Sequence, residues 1–432
     1  MFKILKNAWA VPDLRKKILI VLALILVFRF GSYIPVPGID RSQLSTLWIN
    51  QEGGIGGLFN IITGGALSQV SIFAMSITPY INASIIIQLL TIAIPALERM
   101  SKEGEEGRKK LAQYTRYFTI VLALIQAIGL SISFSSAFHD KNFLTYAIVV
   151  MSLTAGTAFI MWLGEQMTEY GIGNGTSLII FAGILAGGSA ALQSLVTQTG
   201  FFDSLWGKVS FAAVILGVLI LIAAIVWVQE AERRIPVQYA KRVVGRKMYG
   251  GQSTHIPIKV SLAGVIPIIL AMSLMMFPAM IINFAKGGAA TGFWGAVAQV
   301  CSPSTGAAWY IYVLHCIIYS LLIIGFTYFY TLIVFNPVEV ANTLKKNGGF
   351  IPGIRAGKPT ADYINGVLNR VTLFGAIFIA IVAIIPVVVQ ALTGIRLGFG
   401  GTTILIVVGV ALETTKQLES QLVMKHYKGF LD

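Results

Sequence analysis

The sequence predicts an all-α polytopic membrane protein, and three observations carry that prediction. Of its 432 residues 56% are hydrophobic and only 12% charged, with a mean hydropathy of +0.79, a balance outside the range of soluble globular domains. Ten apolar stretches of about 20 residues recur along the chain, the length that ~30 Å of hydrocarbon requires of a helix. The basic residues fall in alternate loops, 26 of the 32 on one side and five on the other, which by the positive-inside rule places both termini in the cytoplasm.

In order, the stretches cover roughly 18–36, 74–95, 115–134, 146–164, 176–197, 210–229, 260–284, 308–334, 367–392 and 398–415, the last being the shortest. The first follows Arg15, Lys16 and Lys17, as a secretion signal would, but lacks an A-x-A-like cleavage site and is followed by nine more. It reads as a retained span. Arg29 is the clear ionised residue inside a predicted span, five or six residues from its outer end, where it can pair with protein or reach the interface.

Cys301 and Cys316 sit in no CxxC or Cys/His cluster, and the four histidines are scattered, so neither a disulfide framework nor a metal site is indicated. There is no GxxxxGK[ST]; "GIGNGTS" has the glycines without the lysine and reads as a flexible turn before the fifth span. No catalytic residue and no cofactor is indicated. The net charge of +14 concentrates in a few loops, and energy for any transport must come from a partner or the membrane potential.

Between the first two full spans lies "GGLFNIITGGALSQVSIFAMSITPYINASIIIQLL". Leu58 to Gln69 would extend ~18 Å as a helix and cannot cross a bilayer. Backbone that breaks at membrane depth is tolerated only beside protein or a water-filled cavity, so this piece enters and stops, and the break implies a cavity. The alternative is a surface helix docked from an external loop. After the break, Ser76 or Thr78 is placed to cap a fresh helix with Pro79 in its first turn.

Seven blocks, in order and nearly end to end, resemble one family: "GGALSQVSIFAMSITPYINASIIIQLL", "EGEEGRKKLAQYTRYFT", "WLGEQMTEYGIGNGTSLIIFAGI", "AKRVVGRKMYGGQSTHIPIKV", "AGVIPIILA", "FNPVEVANTLKKNGGFIPGIRAGKPT" and "FGGTTILIVV". The family is SecY, the central subunit of the bacterial protein-translocation channel. The resemblance implies ten transmembrane helices in two pseudo-symmetric inverted halves around a central pore. The N-terminal segment would be 1–17, the halves 18–197 and 210–415, the external hinge 198–209, the basic cytoplasmic loops 229–259 and 336–370, and the cytoplasmic tail 416–432. A re-entrant plug helix is implied at about 57–69, with Leu58, Phe59, Ile61 and Ile62 facing the pore walls and Gly64 and Gly65 supplying close packing and looseness.

By the same resemblance, the pore ring falls on Ile77, Ile81, Thr176, Ile180, Ile269 and Ile406. A narrow ring of isoleucines dewets and blocks ions, yet refits around any passing side chain because its contacts are non-directional. Thr176 departs from the pattern; its hydroxyl would weaken dewetting unless it turned back to a carbonyl in its own helix. A lateral gate is implied between the second and seventh spans along Asn82, Gln88, Gln126, Ser273 and Phe277, whose polar groups can bridge the closed seam.

The loop 229–259 alternates enough to predict a hairpin turning near Gly245, and its basic cluster attracts RNA phosphates or an acidic protein surface. The alternative there is purely topogenic charge. The resemblance makes it a ribosome and SecA ATPase contact through Arg242, Arg246 and Lys247, with Arg355 of the second loop for productive engagement. Other implied partners are SecE, SecG, signal sequences, nascent polypeptides and membrane lipids, in the bacterial inner membrane. A secondary transporter also has broken helices and inverted halves. Against it stand the near absence of ionisable residues in the spans and basic loops too large for a solute carrier.

Overall fold

The structure, a computed structural model, describes residues 2–39, 63–134, 137–138, 140, 142–199, 205–239, 242–244, 247–249, 253–286, 292–303, 307–393 and 401–428. Every predicted apolar stretch carries a helix. In the N-terminal part these are α1 (Phe2–Ala10), α2 (Pro12–Gly31), α3 (Thr78–Ala93), α4 (Pro95–Lys102), α5 (Glu105–Ser133), α6 (Phe143–Tyr170) and α7 (Gly175–Thr199). Then come α8 (Leu205–Glu230), α9 (Ile266–Lys286), α10 (Gly292–Cys301), α11 (Trp309–Val334), α12 (Pro337–Lys346), α13 (Lys358–Thr393) and α14 (Gly401–Lys428).

Among the described residues α5, α6, α7, α8, α13 and α11 with its continuation α12 are long and apolar enough to cross a membrane, and the bent α3–α4 pair makes a seventh. Three further stretches carry α2, α9 and α14, which polar residues or length keep below that standard. Asp13, Arg15, Lys16 and Lys17 crowd the start of α2, and the second half of α14 is polar. α8 is the most apolar and least covered of the six, with Leu216, Leu219, Ile220 and Trp227 exposed along it; its exposed apolar surface suits lipid or a partner helix.

Prolines and glycines set the breaks. Ile94 precedes Pro95 and is extended (φ −108°, ψ 112°), as a residue before proline prefers, and there α3 turns into α4 through 101°. Gly104 at φ +85° then starts α5. At the other end of α3 the expected cap is not formed. Ile77 occupies the cap position with no side-chain bond, Pro79 lies in the first turn as predicted, and Ser76 sits at φ +51° with its Oγ buried and unpartnered. Packing of Phe73, Met75 and Ile77 into the core fixes this backbone, and the serine follows.

The "GIGNGTS" turn is pinned rather than loose. Asn174 Oδ1 accepts from the N–H groups of Thr176 and Ser177 at 3.0 and 3.3 Å, Thr168 Oγ1 accepts from Gly175 N–H, and Gln417 Oε1 accepts from Gly173 N–H at 2.9 Å. A Cβ at Gly175 would fall on the carbonyl of Gly164, so glycine is required for α6 and α7 to meet. Gln417 belongs to α14, which continues as one helix through most of the expected tail. Its Leu418 and Leu422 pack with Ala8, Leu14 and Ile172, and Gln421 accepts from Lys17 Nζ at 3.2 Å.

Both long basic loops fold into one platform. Strands β1 (Glu232–Tyr239) and β4 (Ser253–Lys259) pair antiparallel, and β5 (Gly349–Phe350) of the second loop adds to the other edge of β1. A separate ribbon of β2 (Arg242–Val244) and β3 (Lys247–Tyr249) pairs Val244 with Lys247, on either side of the predicted turn near Gly245, which lies outside the described residues. Ile235, Val237 and Ile258 close over Leu344, Ile351, Ile364 and Leu368 in a shared apolar core, and Asn336 caps α12 by accepting from the N–H groups of Val338 and Glu339.

Because Ile364 is fully buried where the two loops meet, Ile364→Ala is expected to weaken the platform by about 2–4 kcal/mol. Hydrogen exchange is the check: β1, β4 and β5 should lose protection together while α6 keeps its own.

Candidate pore constriction and lateral seam

Five isoleucines from four helices converge. Ile77 immediately precedes α3 and Ile81 lies one turn on, its N–H donating to the carbonyl of Ile77 at 3.1 Å. Ile180 sits in the second turn of α7, Ile269 in the first turn of α9, and Ile406 in the second turn of α14. Ile77, Ile180, Ile269 and Ile406 are buried in one core with Ile160, Leu163 and Val410, and Ile81 packs against it. All four helices therefore begin within two turns of this level, where protein encloses them as membrane depth demands.

Between them lies a cavity of about 20 Å³, lined by Thr78, Ile81, Ile180, Ile269, Met272, Ser273, Met276 and Ile406. That is room for a single water, and the lining offers it few polar partners. Such a gap disfavours a continuous water file, and with it ions.

Thr176 does not line the cavity. Its side chain lies beside Tyr80 of α3. Met272 and Met276 line it instead. Their spacing from Ile269 (three and seven) is the helical signal that would have found them, and an unbranched thioether adapts to irregular space.

The seam residues divide. Asn82 on α3, Gln126 on α5 and Ser273 on α9 are buried, Phe277 is half-buried, and Gln88 is exposed. α9 packs against both α3 and α5. The expected polar bridge is not made at Gln126, however: its Nε2 is buried with no hydrogen-bond partner among the described residues. Gln88 stands apart from the buried part of the seam.

Leu58, Phe59, Ile61 and Ile62 lie outside the described residues. Gly64 and Gly65 are described, at φ +65° and +86° within a turn. A Cβ on Gly64 would stand 2.8 Å from the carbonyl oxygen of Gly183 on α7, so close packing is what this glycine supplies.

The SecY family profile matches residues 71–415. The chain is 46% identical to the protein translocase subunit SecY of Streptomyces scabiei, over 98% of each chain, and 47% identical to that of Halalkalibacterium halodurans, over the whole of both. It superposes on a solved protein-conducting channel with a TM-score of 0.70, at 19% identity over 94% of this chain and 92% of the other. A SecY structure whose plug domain is described as stabilising the closed state of the translocation channel gives a TM-score of 0.68, at the same identity and coverage.

The chain belongs to the SecY family. It is a channel subunit of a protein translocase and not an enzyme.

On the platform of this SecY-family chain, Arg355 is exposed in a loop whose path is fixed. Gly353 and Gly357 hold φ +82° and +106°, Thr360 Oγ1 donates to the Arg355 carbonyl at 2.8 Å, and Ile351 is buried below. Arg242 and Lys247 lie on β2 and β3, and Arg246 falls outside the described residues. The Arg234 guanidinium, hydrogen-bonded to Glu232 at 2.7 Å, holds that carboxyl below its ordinary value, while Arg233 remains exposed on the same strand.

The Gln126 Nε2, buried without a partner among the described residues, makes the seam less stable than its apolar packing allows. Gln126→Leu is expected to stabilise the closed packing by about 1–3 kcal/mol, read as a higher unfolding temperature of the purified complex and a stricter requirement for signal-sequence hydrophobicity.

Proposed function

We propose that the isoleucine constriction is the ion seal of a passive conduit for unfolded polypeptides. The observation that carries this reading is the single-water cavity enclosed by Ile81, Ile180, Ile269 and Ile406. On this reading Ile77 backs the ring from the same core and Thr176 stands at its margin, beside Tyr80.

The plug is residues 57–69, leaving the wall at the Gly64 turn. The seam between α3 and α9, backed by α5, is the lateral gate for signal sequences and transmembrane helices. Buried Asn82 and Ser273 support it, as does Gln126, whose Nε2 has no partner among the described residues, a weak point in the seam that a hydrophobic segment can replace.

We further infer ten spans in two inverted halves, 18–197 and 210–415, joined by the 198–209 hinge in the bacterial inner membrane. Both termini are cytoplasmic, by the 26-to-five charge asymmetry. The platform then faces the cytoplasm and docks SecA or the ribosome through Arg242, Arg246, Lys247 and Arg355. A solved relative of this fold is Sec61 in a canine ribosome–channel complex (TM-score 0.65, 18% identity). SecE and SecG complete the complex along exposed apolar helices, α8 offering the largest such face.

The test is site-directed crosslinking of a stalled secretory chain in assembled translocase. Probes at Ile180, Ile269 and Ile406 should capture the chain, and probes at Leu219 and Ile220 of α8 should capture lipid or partner helix. With Arg355→Glu the complex should assemble and capture nothing. Equal capture at both sets of positions would refute the conduit assignment.

A further inference from the structure

Arg29 is half-buried near the end of α2, in a span where a charge is expensive and normally has a function. Among the described residues no carboxylate lies within ion-pair distance of it; the salt bridges join other pairs. Its guanidinium instead donates from Nη1 to the carbonyl of Gly64 at 3.0 Å and from Nη2 to Tyr33 Oη at 3.3 Å, and lies 5.5 Å from the centre of the Tyr33 ring.

Gly64 is caught from two sides. Its left-handed backbone (φ +65°) aims the carbonyl at Arg29, while its α-carbon rests where a Cβ would meet Gly183 at 2.8 Å and Arg29 Nη1 at 3.0 Å. Gly183 is three residues beyond Ile180 on α7. Ala66 of the same turn is buried in the core that holds Ile77, Ile180, Ile269 and Ile406.

Beyond the turn, backbone bonds tie the chain to the end of α2: Val36 N–H donates to the Val70 carbonyl at 2.9 Å and Ile72 N–H to the Ile34 carbonyl at 3.0 Å. Arg29 thus adds a charge-assisted bond at the start of a turn whose far end is already fixed. Bonds to an ionised donor are roughly twice as strong as neutral ones.

We propose that Arg29 is a latch: a positioning residue that holds the Gly64 turn against α2 and α7 in the closed channel. This rests on the reading of 57–69 as the plug. Tyr33 is four residues away on the same helix end, so the guanidinium keeps its hydroxyl and ring when Gly64 departs. The charge then has partners in both states, and releasing the latch costs one bond rather than an unpaired ion.

The test is the resting ionic conductance of assembled translocase in planar bilayers. Arg29→Gln is expected to raise it about tenfold, the loss of one charge-assisted bond, and Arg29→Lys, with a single donor nitrogen, by less. Gly64→Ala should match Arg29→Gln although Arg29 is intact, because its Cβ displaces the carbonyl. Both should also export a precursor with a weakened signal sequence more readily, a gain that a misfolded channel cannot show. Deletion of residues 57–62 serves as the reference leak. If that deletion leaks while Arg29→Gln and Gly64→Ala stay as tight as the unaltered complex, the latch is wrong and the plug stands. If the deletion does not leak either, both are wrong.

Discussion

The structure depends on an apolar contact that binds nothing. A passage for any polypeptide cannot offer fixed hydrogen-bonding groups to its cargo, or some sequences would stick and others be refused. It must also not let water form a file, or ions would follow. Branched aliphatic side chains from four helices meet both conditions: stiff about χ1, they fill space without direction. The remaining cavity is about the size of one water.

That contact explains where the helices break. A closed constriction needs side chains from several directions at one depth, and α3, α7 and α9 all start there. Each start leaves N–H groups without intrahelical partners, so each must be enclosed. Asn174 serves α7 with its side chain, and α3 places a proline in its first turn. The Gly64 turn, which is not helical at all, takes its partner from an arginine. Several of the irregular backbone groups near the centre are satisfied by named side chains, although the Oγ of Ser76 remains without a partner among the described residues.

Much of this was legible in the sequence, in proportion to how local the signal is. Apolar runs located the helices, Pro79 the first turn of α3, and alternation in the first basic loop its hairpin, whereas the 101° break at Pro95 fell inside a stretch read as one span, 74–95. The addition of β5 to β1 was not legible, because its partners Gln238 and Phe350 are far apart in the chain and a two-residue strand carries no period of its own. Nor was the docking of α14: Leu418 and Leu422 read as a polar tail until Ala8, Leu14 and Ile172 are seen against them. Ring positions came from family motifs rather than periodicity; of the six, Ile81, Ile180, Ile269 and Ile406 line the cavity, while Ile77 is buried in the core behind them and Thr176, where the residue type disagreed, is not part of the lining.

The central claim is that apolarity at the convergence, not the mere closeness of the helices, excludes ions. The most direct measurement is resting ionic conductance of the assembled complex carrying Ile180→Asn with Ile406→Asn, changes that add hydrogen-bonding groups to the cavity wall at the cost of some volume, with Ile180→Val and Ile406→Val as the control that loses volume alone. The account predicts a marked rise in conductance with the plug intact, and a return toward the original value with Ile180→Val and Ile406→Val. Conductance unchanged by the paired asparagines, in a complex of undiminished stability, would contradict it.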